Sequence, residues 1–202
     1  MIDYYLNRKI AYYWVKRAFS PLLITFIEVG KEYLNVWLVN DLLHDVKGKL
    51  LLSKMDFWGK TSWIKEKDVT ILPNSSTRLE RINFLDLGVN KKSEFLWARL
   101  EVMGETKAEN RYFFFPWADL IFPKCKLRTE IKRIGEAEHK LIISSDIYAR
   151  LVKIKTNEIK CRLSDNYFDL TPGEKREVII EPSDLKKEKE LLASLSINAL
   201  NT

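Results

Sequence analysis

The sequence predicts an all-β protein in which one N-terminal helix is followed by two β-sandwiches in tandem. Three observations carry this. Past Pro21, short runs of alternating apolar and polar residues recur between turn formers, which is the period of half-buried strands. Ahead of Pro21 lies a stretch with neither Gly nor Pro and no such alternation. The chain has 202 residues, enough for two sandwiches of roughly 100 residues each.

The helix spans 8–19. Asn7 is a suitable N-cap, and Ser20-Pro21 stops the helix because a residue before proline avoids the helical region. Ile10, Ala11, Tyr12, Tyr13, Trp14, Val15, Ala18 and Phe19 leave it almost no polar face. A helix apolar on every side has to be covered on every side, and a sandwich covers only one. The expectation is a helix, residues 1–20, that docks through Tyr5, Ile10, Tyr13, Trp14 and Phe19 on a further body. The alternatives are a groove between the sandwiches or a self-association contact.

The first sandwich is expected over 21–118. Strands at 22–29 and 33–39 flank a hairpin turn at Gly30-Lys31, with Leu34, Val36 and Leu38 on one face and Tyr33, Asn35 and Trp37 on the other. Further strands follow at 48–55, 61–65, 77–84, 95–103 and 110–115, which completes the number found in an immunoglobulin-like sandwich. The segment 116–124, with Pro116, Pro123 and an apolar Leu120-Ile121-Phe122, reads as a short linker. The second sandwich is expected over 124–202, with strands at 126–133, 140–144, 148–155, 158–163 and 176–181. A charged turn or helical turn near 183–192 then leads to a closing strand marked by Leu195, Ile197 and Ala199.

Composition narrows the function classes. At 46% hydrophobic and 31% charged the chain is globular, and no apolar run approaches the ~20 residues of a spanning helix. Met1 is followed by Asp3 and a capped helix, not by the basic and apolar regions of a secretory leader. The net charge of +6 is spread along the chain, which suits solvated strand faces and argues against nucleic acid, for which a concentrated patch with stacking aromatics is needed. His44, His139, Cys125 and Cys161 lack metal-ligand spacing, so no metal and no cofactor is expected. The two histidines read as solvated and the two cysteines as reduced thiols.

Two motifs are specific. The run Asp165-Asn166-Tyr167-Phe168-Asp169-Leu170-Thr171-Pro172-Gly173-Glu174 interleaves turn formers with apolar anchors, and reads as a loop pinned to one end of a sandwich. It closely resembles the D-N-F-F-D-L-x-P-G-E segment in the last immunoglobulin-like domain of glycoside hydrolase family 2 β-mannosidases, with Tyr167 in place of Phe and Thr171 at a variable position. The opening stretch, from Ile2-Asp3-Tyr4-Tyr5 through Tyr12-Tyr13-Trp14-Val15-Lys16-Arg17 to Pro21, resembles the same family's D-Y-Y-G-x-P-K-x-x-Y-Y-x-x-K-R-x-x-x-P. Leu6-Asn7 stand where that pattern has Gly and Arg8 where it has Pro, which puts the turn before the helix in doubt. Asn40-Asp41-Leu42 after Val39 is a looser third match.

The resemblance implies that the opening helix is the last of a catalytic (β/α)8 barrel absent from this chain, and that the barrel is its partner in cis. It also implies that both catalytic glutamates lie in that barrel. A retaining glycosidase needs two carboxylates about 5–5.5 Å apart. Glu28, Glu80 and Glu101 read as outward-facing strand residues, so no catalytic residue is assigned here and the chain is expected to be inactive alone. Carbohydrate is the other candidate partner. Trp58 and Trp63, around a hairpin tip at Gly59-Lys60, are candidate sugar contacts, whereas Trp97 and Trp117 read as packing residues. The alternative to an accessory region is a free-standing carbohydrate-binding or adhesion module, which has no reason to carry an all-apolar helix.

Overall fold

The computed structural model describes residues 1–4, 7–89, 92–156 and 159–202. Strands account for 54% of the chain. The chain resolves into two compact units. One, here the N-terminal unit, comprises Arg17–Asp56 and Lys60–Ile121. The C-terminal unit comprises Met1–Lys16, Phe57–Gly59 and Phe122–Thr202.

Helix α1 (Ile10–Ala18) is shorter than expected at its start. Asn7 does not cap it. Its amide and side chain instead bond the Asp3 carboxylate at 2.9 and 3.2 Å, while the Asp3 amide donates to the Asn7 carbonyl at 3.1 Å. A bridge between Ile2 and Arg8 closes this loop. The loop spends Asn7 on Asp3, so the first helical turn waits until Ile10. Tyr5 lies outside the described residues.

In the N-terminal unit, β1 (Leu22–Val29), β2 (Tyr33–Asn40), β3 (Val46–Asp56), β4 (Thr61–Ile71) and β5 (Ser75–Asn83) precede a single helical turn, α2 (Phe84–Leu87), and then β6 (Glu94–Val102) and β7 (Glu105–Phe113). They form an antiparallel sheet of order β1-β2-β5 and another of order β4-β3-β6-β7. The expected alternation of β2 is present, with Leu34, Val36 and Leu38 wholly buried. β6 is central in its sheet, and Glu94 to Ala98 are buried on both faces.

Two polar groups are built into this core. The Asn40 side-chain amide donates to the carbonyls of His44, Ile71 and Leu72 at 3.0, 3.3 and 3.0 Å, and its oxygen accepts from Leu42 N at 3.0 Å. This gives the Val39-Asn40-Asp41-Leu42 motif a structural reason: one buried asparagine satisfies four backbone groups where two strands end. Lys54 is buried in β3, donating to the Leu87 carbonyl at 2.6 Å with Glu94 Oε2 at 3.6 Å.

The C-terminal unit carries β8 (Leu127–Arg133), β9 (His139–Ser145), β10 (Ala149–Lys155), β11 (Cys161–Leu163), β12 (Phe168–Leu170), β13 (Lys175–Pro182), α3 (Glu188–Ser194) and β14 (Ser196–Asn198). Its sheets run β11-β13-β9-β8 and β12-β10-β14 around Leu141, Ile143, Val152, Ile154, Leu170, Val178, Ile180 and Leu191. Three readings change. The strand expected over 158–163 is confined to Cys161–Leu163, and Glu158 lies outside the described residues. The run 165–174 is not all loop, because Phe168–Leu170 pair with β10. His139 is not solvated: it shares the inward face of β9 with Leu141 and Ile143, and its Nε2 lies 3.0 Å from Glu188 Oε1 on α3. Cys125 and Cys161 are free thiols, and burial pushes both above the usual thiol range.

Candidate functional site

The two most distinctive stretches of sequence meet inside the C-terminal unit. Tyr13 of α1 is 3% exposed, with its ring 5.9 Å from that of Tyr167. Arg8 donates to the Leu163 carbonyl at 3.2 Å and stacks 4.7 Å above the Tyr12 ring. Lys16 Nζ donates to the Ser164 carbonyl at 2.8 Å. These two donors satisfy carbonyls where β11 gives way to the loop. Burial raises the Tyr13 phenol above its ordinary value, with the Arg8 guanidinium opposing.

The loop itself is held by two side chains. Asn166 is buried and imitates a strand partner: its Oδ1 accepts from Ile154 N at 2.9 Å, and its Nδ2 donates to Ile154 O at 3.0 Å. Asp169 accepts from Tyr148 Oη at 2.7 Å, Arg150 Nη1 at 2.6 Å and Leu151 N at 2.8 Å. Past the strand, Glu174 Oε2 accepts from Thr171 N at 2.9 Å, and Gly173, at φ +80°, donates to Ser145 O at 2.9 Å. So the Asn, Asp, Gly and Glu of the run each close a different backbone group, and Phe168 and Leu170 anchor it in the core.

Ile10 and Trp14, four residues apart and so on one stripe, are 40% and 45% exposed. Phe19, just past the helix, is 83% exposed. Of the residues expected to dock, Ile10, Trp14 and Phe19 are thus at the surface, while Tyr13 turns inward against Tyr167.

The candidate sugar contacts fall in different units. Trp58 belongs with Phe57 and Gly59 in the C-terminal unit, where Phe57 O accepts from Tyr148 N at 2.8 Å and the Phe57 ring stacks 4.5 Å from Phe122. Trp63 is half-buried against the core of the N-terminal unit and lines a small surface cleft. Trp97 is buried, donating to Glu109 Oε2 at 3.0 Å beneath the Arg99 guanidinium. Trp117 packs on Phe113 with ring centres 4.5 Å apart.

The strand glutamates are engaged at the surface. Glu28 accepts from Tyr112 Oη at 2.7 Å, Glu80 pairs with Lys65 at 3.2 Å, and Glu101 with Arg99 at 3.4 Å. Among the described residues no three His, Cys, Asp or Glu side chains converge as a metal site.

Two immunoglobulin-like sandwiches, each paired antiparallel, follow one another along the chain. Residues 32–118 match the family model of a mannosidase Ig/CBM-like domain, and residues 122–202 match that of an Ig-fold domain of the mannosidases. The chain belongs with the C-terminal Ig-like domains of β-mannosidase-like glycoside hydrolases. It is 31% identical to β-D-mannosidase from Dictyoglomus thermophilum, with a TM-score of 0.88 over 99% of this chain and 24% of that one. Beta-mannosidase B from Aspergillus niger is 28% identical over 86% of this chain and 22% of its own length. Beta-mannosidase B from Aspergillus clavatus is 23% identical over 90% of this chain and 23% of its own. An exo-chitosanase from Amycolatopsis orientalis shares the fold, at TM-score 0.68 and 14% identity. The chain therefore spans about a quarter of the length of these relatives, in which the region is part of a larger protein.

Proposed function

We propose that this chain is the non-catalytic C-terminal accessory region of a β-mannosidase-like retaining glycoside hydrolase that cleaves terminal β-mannosides. In this reading a catalytic (β/α)8 barrel is its partner in cis and supplies both carboxylates. The observation that carries it is the two-sided character of α1. One face is consumed by the C-terminal unit through Tyr13, Arg8 and Lys16. The other presents Ile10 and Trp14, and Phe19 follows beyond the helix end. Large aromatics bury on the order of 150–250 Å² each when covered, so the stripe approaches the few hundred Å² that soluble monomers tolerate as an exposed patch. A barrel packed on it would remove that patch. Without one, the stripe favours self-association.

The test is complementation. The purified chain alone should leave aryl β-mannosides intact. Mixed with the catalytic portion of the D. thermophilum enzyme lacking its own last quarter, it should co-elute and raise aryl β-mannoside hydrolysis. Ile10→Asp with Trp14→Asp should abolish both effects and leave the chain monomeric. Hydrolysis by the chain alone that is lost on mutating one of its own glutamates would refute the reading, as would co-elution unaffected by the stripe variants.

A further inference from the structure

The geometry points to a second binding site, a cleft at the open edge of the N-terminal unit that takes a single pyranose ring against Trp63. The cleft arises from topology. β4 and β5 are consecutive but lie at the edges of different sheets, so they stay close at the turn near Asn74 and part toward Trp63 and Asn83. The gap is a cleft of about 200 Å³, with Trp63 and Lys65 on one side and Arg81, Asn83 and Asp86 on the other. That is below the ~300–1,000 Å³ of pockets that enclose drug-sized ligands, and fits one ring or the end of a chain.

The groups lining it are partly engaged and keep some polar capacity to spare. Trp63 is held by packing on the core, and its indole N–H makes no hydrogen bond among the described residues. Arg81 Cζ lies over the Tyr33 ring, 4.0 Å from its centre. Asn83 uses its oxygen to accept from Leu85 N at 2.9 Å, which leaves its NH₂ group to donate. The Asp86 carboxylate lines the cleft at an exposed position. Lys65 is already held by Glu80 at 3.2 Å.

This inventory selects a ligand class. An aromatic wall asks for an apolar face. Three donors and one carboxylate around it ask for groups that both accept and donate. An anion would meet Asp86, a cation would meet Arg81 and Lys65, and an apolar ligand would desolvate Asp86 and Asn83 without repayment. A pyranose has a C–H face for the indole and a rim of hydroxyls that accept from Arg81 and Asn83 and donate to Asp86. The site lies wholly within one unit and does not depend on the barrel reading, so either can fail alone.

The test is titration of the intact chain with methyl β-D-mannopyranoside, followed by the six tryptophan indole N–H signals in a ¹H–¹⁵N spectrum. A saturable shift of the Trp63 signal is expected, while that of Trp58 stays in place. Trp63→Ala should abolish binding. Asp86→Ala, at an exposed position that does not endanger folding, should weaken it about tenfold, the loss of one charge-assisted hydrogen bond. A Trp63 signal unmoved up to the solubility of the sugar overturns the proposal, as does binding that Asp86→Ala leaves unchanged.

Discussion

Replacing Asp169 by Ala should destabilise the C-terminal unit by about 4 kcal/mol. The carboxylate is the hub of that unit, bonded at 2.6 to 2.8 Å to Arg150, Tyr148 and the Leu151 amide. The Arg150 and Asp169 side chains are each 12% exposed, so water screens them little. Removing one partner of such a pair costs roughly 3–5 kcal/mol. Depriving the fully buried Tyr148 of its acceptor adds about 1 kcal/mol, and the remaining exposure takes back a similar amount. Leu151 also sits at φ +51°, a strained value for a branched residue, and its amide bond to Asp169 helps to hold it there. Trp14 and Trp58 lie in this unit but Trp37, Trp63, Trp97 and Trp117 in the other, so fluorescence would mix the two transitions. Hydrogen exchange of the β10 amides of Val152 and Ile154 against urea is the suitable assay. A loss of this size raises the open population about a thousandfold. Asp169→Asn, which keeps one acceptor oxygen, should cost about half as much. A change below about 1 kcal/mol for the Ala variant would show that the network is incidental and that Phe168 and Leu170 alone secure the loop.

Tyr13 is buried as the neutral phenol, with its ionisation raised by burial. Its contribution is therefore complete below the unfolded tyrosine value of about 10 and is lost as pH climbs through the folded value. Tyr13→Phe should keep α1 docked under alkaline conditions that release it in the parent chain, as read by exchange of the α1 amides. Gly48→Ala should cost about 1–3 kcal/mol in the N-terminal unit, because the added Cβ falls on the Glu101 carbonyl oxygen and within 3.0 Å of Val102 Cγ2; thermal unfolding measures it. Cys125→Ser with Cys161→Ser should leave the non-reduced unfolding midpoint nearly unchanged, and alkylation should add two labels to the parent chain by intact mass. Loss of a disulfide would instead show as about 2–5 kcal/mol.

The strand pattern was legible because alternation and turn formers are local. Leu34, Val36 and Leu38 announce the inward face of β2, and β1 runs Leu22–Val29 as its spacing predicts. The same rule would have placed His139 inside, two residues from Leu141 and four from Ile143; the imidazole's polarity obscured it, because its partner Glu188 lies 49 residues on. β12 was missed since three residues between turn formers carry no period. For α1, uniform apolarity predicted cover on every side, whereas within this chain only Tyr13 is buried. Tyr13 and Trp14 are neighbours in sequence with opposite fates, and that choice is made by Tyr167. Trp63 was singled out by its type, whereas Arg81, Asn83 and Asp86 join it only because β4 and β5 sit in different sheets.

The bond from Arg8 to the Leu163 carbonyl spans 155 residues, and this sets an order of events in biosynthesis. Helix α1 has nothing of its own unit to rest on until β11 and the Asn166 turn have emerged from the ribosome. At roughly 5–20 residues per second, the delay is about ten to thirty seconds. The N-terminal unit, whose strands are contiguous but for three residues, can close during that interval. Through it the Tyr12-Tyr13-Trp14 segment waits for the surface of its own unit that Tyr167 completes.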